Sequence, residues 1–197
     1  MDTETRLKAA NDLLAPWAAA TNTPEPDRLD INVDAANLID AVKALRQPAE
    51  GEPWGYLSAI TGLDTLGNPE NPQAGELEAL YHFCSGSAVV TLRVKSARQE
   101  ASVPSICKII PSASLYEREL SEMFGFNVVN TPNPARLFLP DDWPDGLYPL
   151  RKEPAITDAR TGHWPPPDDG PLFIYRCCGA DADHRLYRTL ARKTGRG

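Results

Sequence analysis

Three glutamates and an arginine, side chains suited to acid–base chemistry, lie close together within residues 114–125. Two carboxylates that act as an acid–base pair must converge on one substrate atom. If the stretch is helical, Glu117 and Glu119 point roughly 200° apart around the helix axis, at about 100° per residue. The stretch also lacks a nucleophile and a metal-binding pattern. We therefore expect structural or partner-binding roles for these charges and no catalytic pair.

Residues 114–125 have the pattern of one short helix with both ends marked. Ser114 and Glu117 are spaced as a capping box, in which each side chain binds a backbone N–H group of the other residue. Gly125 readily accepts the left-handed conformation that ends a helix. Four apolar residues share one face of the predicted helix: Tyr116, Leu120, Met123 and Phe124. Such a stripe is typical of an amphipathic helix.

The polar side chains of this helix allow two interpretations. Arg118 and Glu122 are four residues apart and can form an ion pair across one turn. In the first interpretation Glu117 is a cap, this ion pair lies on the surface, and Glu119 is a carboxylate at the rim of the apolar face. In the second, Arg118 or Glu119 contacts a partner protein. The sequence leaves both open.

The cysteines and histidines form no recognisable site. The cysteines are Cys84, Cys107, Cys177 and Cys178, and the histidines are His82, His163 and His184. No two cysteines have Cys-x-x-Cys spacing, so we predict that this chain alone binds no metal and no iron–sulfur cluster. A free-standing enzyme using His82 or Cys107 would need a base beside that residue in a pocket. No sequence pattern predicts that arrangement.

The elements before residue 114 predict an α+β domain. Alternation with period two indicates strands, and a 3.6-residue period indicates helices. The predicted elements are a helix at 3–20, a strand at 28–34, a helix at 35–46, and strands at 54–63, 76–84 and 88–95. Residues 96–103 are predicted to be a polar connection, and residues 104–110 fit either a helical turn or a buried strand. This order predicts a small, mainly antiparallel sheet with helices packed on it.

The chain changes in character after residue 126, because most of its 19 prolines lie beyond residue 130. We predict an α+β core at 1–126, a long proline-rich extended arm at 127–153 that contacts partners, and a linker with a basic tail at 154–197. Six apolar residues of the arm are candidate contacts: Leu137, Phe138, Leu139, Trp143, Leu147 and Tyr148. These side chains either bind a partner or fold back on the domain itself, and the sequence favours neither.

Charge and hydropathy limit the partners of the chain. A formal net charge of −7 argues against general nucleic-acid binding. No segment reaches the roughly 18 continuous apolar residues that a membrane span needs, and the acidic first residues lack the pattern of a signal peptide. We therefore expect the chain to reach a membrane only through a partner.

Two motifs resemble a known family. Tyr-Glu-Arg-Glu-Leu-Ser-Glu-Met-Phe-Gly at 116–125, followed by Pro-Leu-Arg-Lys-Glu at 149–153, resembles the C-type subunit family of respiratory complex I, which includes the cyanobacterial and chloroplast J-type subunits. The family has Trp where this chain has Leu115, a Gly-His-Pro turn where it has residues 130–132, Asn-Thr-Pro, and Asp where it has Glu153. The resemblance implies the same α+β fold.

The resemblance also implies a function. It implies a scaffold subunit without a redox centre in the peripheral arm of a proton-pumping NADH:quinone oxidoreductase, on the cytoplasmic side of the bacterial inner membrane. Its neighbours would be the large D-type subunit and the B- and I-type iron–sulfur subunits. NADH, FMN, iron–sulfur clusters and quinone would belong to the assembled complex. The alternatives are the same scaffold role in a ferredoxin-linked complex or a membrane-bound hydrogenase, and a regulatory binding module without a respiratory partner.

Nine residues make up the predicted partner interface. They are Arg118, Glu119, Met123, Phe124, Trp143, Pro149, Leu150, Arg151 and Lys152. Arg151 and Lys152 follow Pro149 and Leu150 and are expected to be exposed. With Arg118 and Glu119 they would form the polar contacts to the large subunit.

Overall fold

A computed structural model describes residues 2–48, 52–65 and 74–152, which belong to one compact unit. The predicted linker and basic tail at 154–197 lie outside the described residues. The helices of the described part are α1 Thr3–Leu14, α2 Leu38–Arg46 and α3 Ala113–Phe124. The strands are β1 Ala18–Asn22, β2 Arg28–Val33, β3 Tyr56–Thr65, β4 Glu76–Ser85, β5 Ala88–Ala97, β6 Ser102–Pro104 and β7 Asn127–Val129. Short 3₁₀ turns at Ala15–Trp17 and Ala35–Asn37 precede β1 and α2.

Five strands form the main sheet, in the order β1-β2-β5-β4-β3. The β2–β5 pair is parallel, and the other pairs are antiparallel. Buried side chains follow one another across the sheet, as in the row Ile60, Tyr81, Leu92 and Ile31. A separate parallel pair joins β6 to β7. The predicted α+β fold with a small, mainly antiparallel sheet is therefore confirmed.

The helices supply the other half of the core. α1 and α2 contribute Leu7, Leu14, Leu38, Val42 and Leu45 to the same apolar cluster as the sheet. α3 packs against β3, and a Cβ atom at Gly62 would lie 2.3 Å from the ring of Phe124. The glycine therefore sets how closely α3 can approach the sheet.

α1 is shorter than the helix predicted at 3–20. It ends at Leu14, because Pro16 follows in a 3₁₀ turn and cannot donate to the helical ladder. Residues 18–22 instead form the edge strand β1, which pairs with β2. Pairing with β2 thus outweighs the helix propensity of three consecutive alanines.

The chain between β5 and α3 is more regular than the sequence pattern predicts. β5 continues to Ala97, and β6 lies inside the predicted polar connection at 96–103, so that prediction is wrong in part. After β6 the N–H groups of Ile109 and Ile110 both donate to the carbonyl of Ile106 at 2.9 Å. Residues 106–110 therefore form a helical turn, which decides between the two alternatives left open for 104–110.

Asn130 follows β7 in the left-handed conformation, with φ of 62°. The family pattern places a glycine at this position, and glycine adopts that conformation without strain. Asn is one of the few other residues that tolerate it. Asn130, in place of the glycine of the family's Gly-His-Pro turn, can therefore still adopt the left-handed conformation.

The open face of the sheet carries a network of charged and polar side chains. Arg93 forms ion pairs with Glu78 at 2.6 Å and with Asp30 at 3.0 Å. His82 hydrogen bonds with two threonine hydroxyls on the neighbouring strands, at 2.7 and 3.1 Å. Burial lowers the pKa of His82, so the neutral ring is favoured in the folded chain.

Candidate partner interface

α3 is bounded by Ser112 and Gly125. Ser112 precedes the helix without forming a side-chain capping hydrogen bond, while Gly125 has φ of 71°. The left-handed end predicted at Gly125 is confirmed. The predicted capping box is wrong, because Ser114 already lies inside the helix and the carboxylate of Glu117 binds elsewhere.

Glu117 is a buried anchor for the turn after β6, with only 1% of its surface exposed. Its carboxylate accepts hydrogen bonds from the backbone N–H of Ile106 at 2.7 Å, from the hydroxyl of Ser105 at 2.7 Å and from the thiol of Cys107 at 3.1 Å. A buried carboxylate is stable only when such donors replace its water. Glu117 therefore ties α3 to the turn that leads into it.

The surroundings of Glu117 keep the thiol of Cys107 and the hydroxyl of Tyr81 protonated. Burial first, and then the adjacent Glu117, raise the pKa of Cys107 to about 11, although the Ser105 hydroxyl acts against this shift. Burial also raises the pKa of Tyr81, and Glu117 and Cys107 add to that rise. Both side chains are thus neutral at physiological pH, and Cys107 is not an activated nucleophile.

Arg118 and Glu122 both bind residues 130–152, the described part of the predicted arm beyond β7, which is called the arm from here on. Glu122 accepts hydrogen bonds at 3.2, 2.9 and 2.9 Å from three consecutive backbone N–H groups, those of Leu137, Phe138 and Leu139. Arg118 donates to the carbonyl of Ala135 at 2.7 Å and to that of Arg136. The predicted ion pair across one turn is therefore wrong, since the backbone of the arm satisfies both charges.

Arg136 closes the loop that follows. Its guanidinium donates to the carbonyls of Pro140 at 2.7 Å and Trp143 at 2.9 Å, and to the carboxylate of Asp145 at 3.0 Å. The indole N–H of Trp143 donates to the carbonyl of Leu147 at 2.9 Å. These contacts hold the loop together, and Trp143 is half-buried. The other candidate side chains of the arm are half-buried as well, except Phe138, which is 64% exposed, so the structure does not exclude partner binding for the arm.

Arg151 lies against the C-terminal end of α3. Its Nε donates to the carbonyl of Phe124 at 2.7 Å, and its guanidinium carbon lies 4.4 Å from the centre of the Tyr148 ring. A cation here satisfies carbonyls that the last turn of the helix leaves unpaired. The expectation that Arg151 is exposed is therefore wrong in part, because its side chain is half-buried.

Lys152 is held by its backbone. Its N–H donates to the carboxylate of Asp64 at 2.7 Å, and its carbonyl accepts from Arg98 at 2.8 Å. Asp64 and Arg98 form an ion pair with each other and are only 2% and 4% exposed. The side chain of Lys152 is exposed, as the sequence predicts.

The structure thus divides the nine predicted interface residues into two groups. Arg118 and Arg151 turn towards their own domain, and Met123, Phe124 and Trp143 are half-buried. Pro149, Leu150 and Lys152 are exposed, whereas Glu119 is half-buried like Met123 and Phe124. The exposed group remains available to a partner, and its interface role stays a prediction.

Sequence reasoning missed Asp64 and Arg98, which fix the end of the arm. They lie 34 residues apart, and Asp64 lies 88 residues from Lys152. The one local signal was a charged residue at the end of each of two apolar strands, and such residues are usually solvated.

The described residues contain no group of three or more His, Cys, Asp or Glu side chains placed to hold a metal ion. Within the same residues, no helix combines the length and the apolar character that crossing a membrane requires.

Comparison with known proteins identifies the family. Residues 31–160, well over half of the chain, match the family described as the respiratory-chain NADH dehydrogenase 30 kDa subunit. In the sulfane sulfur reductase, an archaeal respiratory membrane complex, one chain has the same fold, with a TM-score of 0.59 at 23% identity. That match covers 75% of this chain and 84% of the other.

Two relatives show the range of the family. The C-type subunit of the NADH-quinone oxidoreductase of Roseiflexus castenholzii is 31% identical over 127 residues, which are 64% of this chain and 68% of that protein. Formate hydrogenlyase subunit 5 of Escherichia coli is 34% identical over 146 residues, which are 68% of this chain. The matched region spans only 24% of that longer protein. On these matches, the chain belongs to the 30 kDa subunit family of the respiratory-chain NADH dehydrogenase, the C-type subunits of complex I.

Proposed function

We propose that this chain is a scaffold subunit of a proton-pumping NADH:quinone oxidoreductase and that it holds no redox centre of its own. The observation that carries this proposal is the family match over residues 31–160. In this role the chain fixes the positions of neighbouring subunits near the quinone site. Electron transfer then gains from positioning, since its rate depends on how the reacting centres are held.

The geometry of the described residues supports a positional role. Glu117 anchors the turn before α3, and Cys107 beside it has a raised pKa and is protonated. Glu122 and Arg118 fix the arm through its backbone. These contacts join α3 to the turn before it and to the arm, which suits a subunit that positions others.

The proposed neighbours are the large D-type subunit and the B- and I-type iron–sulfur subunits. NADH, FMN, iron–sulfur clusters and quinone would be bound by the assembled complex. The chain would lie peripherally on the cytoplasmic side of the bacterial inner membrane, attached through these partners.

Affinity purification from detergent-solubilised host membranes tests the proposal. A tagged full chain should recover a large subunit, iron–sulfur subunits and NADH-binding flavin subunits, identified by mass spectrometry, while the untagged host recovers none. A tagged chain that is folded and abundant in the host but co-purifies with no iron–sulfur protein would contradict the scaffold role and favour a free regulatory module.

A second candidate is the same scaffold role in a ferredoxin-linked complex or a membrane-bound hydrogenase. The match to formate hydrogenlyase subunit 5 favours it, because that match is longer and slightly more identical than the match to the Roseiflexus protein. The same purification separates the two candidates. Recovery of the large and iron–sulfur subunits without any NADH-binding flavin subunit would support the second.

A further inference from the structure

The arm ends in a strip, residues 150–152, whose backbone is fixed residue by residue. The N–H of Leu150 donates to the carbonyl of Met123 at 3.2 Å, and that of Arg151 donates to the carbonyl of Tyr148 at 3.1 Å. The peptide groups on both sides of Lys152 are bound by the buried Asp64–Arg98 pair described above. The strip itself is neither helix nor strand, so these contacts with α3, β3 and Arg98 set its position.

The Asp64–Arg98 pair recognises backbone and not sequence. Removing two charges from water is costly, and the cost is offset only when both ions find good partners. Here each ion finds the other and also one backbone group of Lys152. The pair would act in the same way on any residue except proline at position 152, so it fixes where the side chain starts without using that side chain.

Consecutive side chains of the strip alternate between the domain and the solvent. Arg151 turns inward to the end of α3. Leu150 on one side of it is 52% exposed, and Lys152 on the other side is exposed. Among the described residues, the Lys152 ammonium has no hydrogen-bond or ion-pair partner. The strip therefore displays one apolar and one cationic side chain on a fixed backbone.

We propose that Leu150 and Lys152 are the docking pair of this chain, and that they bind a partner-subunit surface with an apolar cleft beside a carboxylate. This inference rests on the proposed scaffold function and names the residues that make the contact. A backbone that is already ordered loses little entropy on binding, which favours short docking elements of this kind. The cation requires an acidic partner group, and Leu150 requires an apolar one next to it.

Co-purification from solubilised membranes tests the pair through three variants of the tagged full chain: Lys152→Glu, Lys152→Ala and Leu150→Ser. Charge reversal places like charges together, so Lys152→Glu should lower recovery of the partner subunits about tenfold. The other two variants should lower it less. Lys8→Glu is the matched control, since Lys8 is an exposed lysine on α1, and it should recover partners like the wild type.

Thermal unfolding of each purified variant separates docking from folding. Leu150 and Lys152 are exposed, so all variants should unfold at the wild-type temperature. If the wild-type chain recovers partner subunits and Lys152→Glu recovers them equally well, the docking pair is wrong while the scaffold function stands. If the wild type recovers no partner, the scaffold function itself fails.

Zero-length cross-linking gives an independent readout on the wild-type complex. A carbodiimide joins an amine to a carboxylate in direct contact, so it should join Lys152 to an aspartate or glutamate of a partner subunit, as found by mass spectrometry of the peptides. Cross-links from other lysines of this chain but none from Lys152 would overturn the proposal.

Discussion

Substitution of Glu117 tests whether the helix is anchored by a buried carboxylate or merely capped. Glu117→Ala removes the acceptor for Ile106 N–H, Ser105 hydroxyl and Cys107 thiol. Each buried donor left without an acceptor costs about 1–3 kcal/mol, and the weak thiol donor costs least. With the small cavity added, we expect a loss of roughly 3–5 kcal/mol in the free energy of unfolding.

Glu117→Gln separates the charge from the shape. The amide oxygen can still accept from Ile106 N–H, and the amide NH₂ can donate to the Ser105 hydroxyl, which rotates to accept. The charge assistance and the weak hydrogen bond from the Cys107 thiol are lost, so the expected cost is about 1 kcal/mol. A capping box predicts a different result, because Gln serves there as well as Glu and Ala costs only about 1 kcal/mol.

Urea denaturation followed by tryptophan fluorescence measures these differences. A total stability of about 5–15 kcal/mol is usual, so Glu117→Ala should lose a large part of it. In thermal unfolding, where 1 kcal/mol shifts the midpoint temperature by about 2–4 °C, the midpoint of Glu117→Ala should fall by about 10 °C. Glu119→Ala, at a half-exposed position of the same helix, is the control and should stay within about 0.5 kcal/mol. A loss below about 1 kcal/mol for Glu117→Ala would refute the buried anchor.

Three further predictions follow from single residues. Cys107, with its pKa raised from 9.0 to about 11, should hold roughly a hundredfold less thiolate than an ordinary cysteine at pH 8 and alkylate far more slowly than the half-buried Cys84, as measured by peptide mass spectrometry. Burial lowers the pKa of His82, so its neutral form stabilises the fold above pH 6.5. This stabilisation is lost as the pH falls through the lowered pKa. In His82→Gln, the free energy of unfolding should therefore change less with pH below pH 6.5 than in the wild type. Asn130→Gly should leave the urea midpoint nearly unchanged, whereas Asn130→Ala should cost about 1–2 kcal/mol at φ of 62°; equal stability of the two variants would contradict this.

Much of the sheet could be predicted because its strands are long and bury alternate residues. β2, β4 and β5 lie within one or two residues of their predicted positions, since their apolar pattern is set by the face they bury. β1, β6 and β7 have five, three and three residues. Strands this short are specified by their partners, and one sequence gives no sign of those partners.

The candidate site shows where local reasoning stops. The sequence located α3 and its left-handed end correctly, because both depend on residues within two turns. The roles of its charges depend on residues further away in the chain. Glu122 binds amides 15 to 17 residues later, and Asp64 binds one 88 residues later. Within the helix alone, Arg118 and Glu122 can pair only with each other. In the folded chain both bind the backbone of the arm instead.

The contacts that hold the arm imply that, in the proposed scaffold role, different residues would carry its shape and its partner specificity. Glu122, Arg118, Arg98 and Asp64 bind carbonyl and N–H groups of the arm, which every residue except proline provides. The exposed side chains of the arm are therefore free to vary without unseating it, whereas Arg136, Trp143 and Arg151 also hold it through their side chains. Those left exposed, such as Phe138 at 64%, can change to suit a different neighbour while the backbone keeps its course. If the proposed scaffold function holds, such exposed positions are where relatives in NADH-quinone oxidoreductase and in formate hydrogenlyase would differ most.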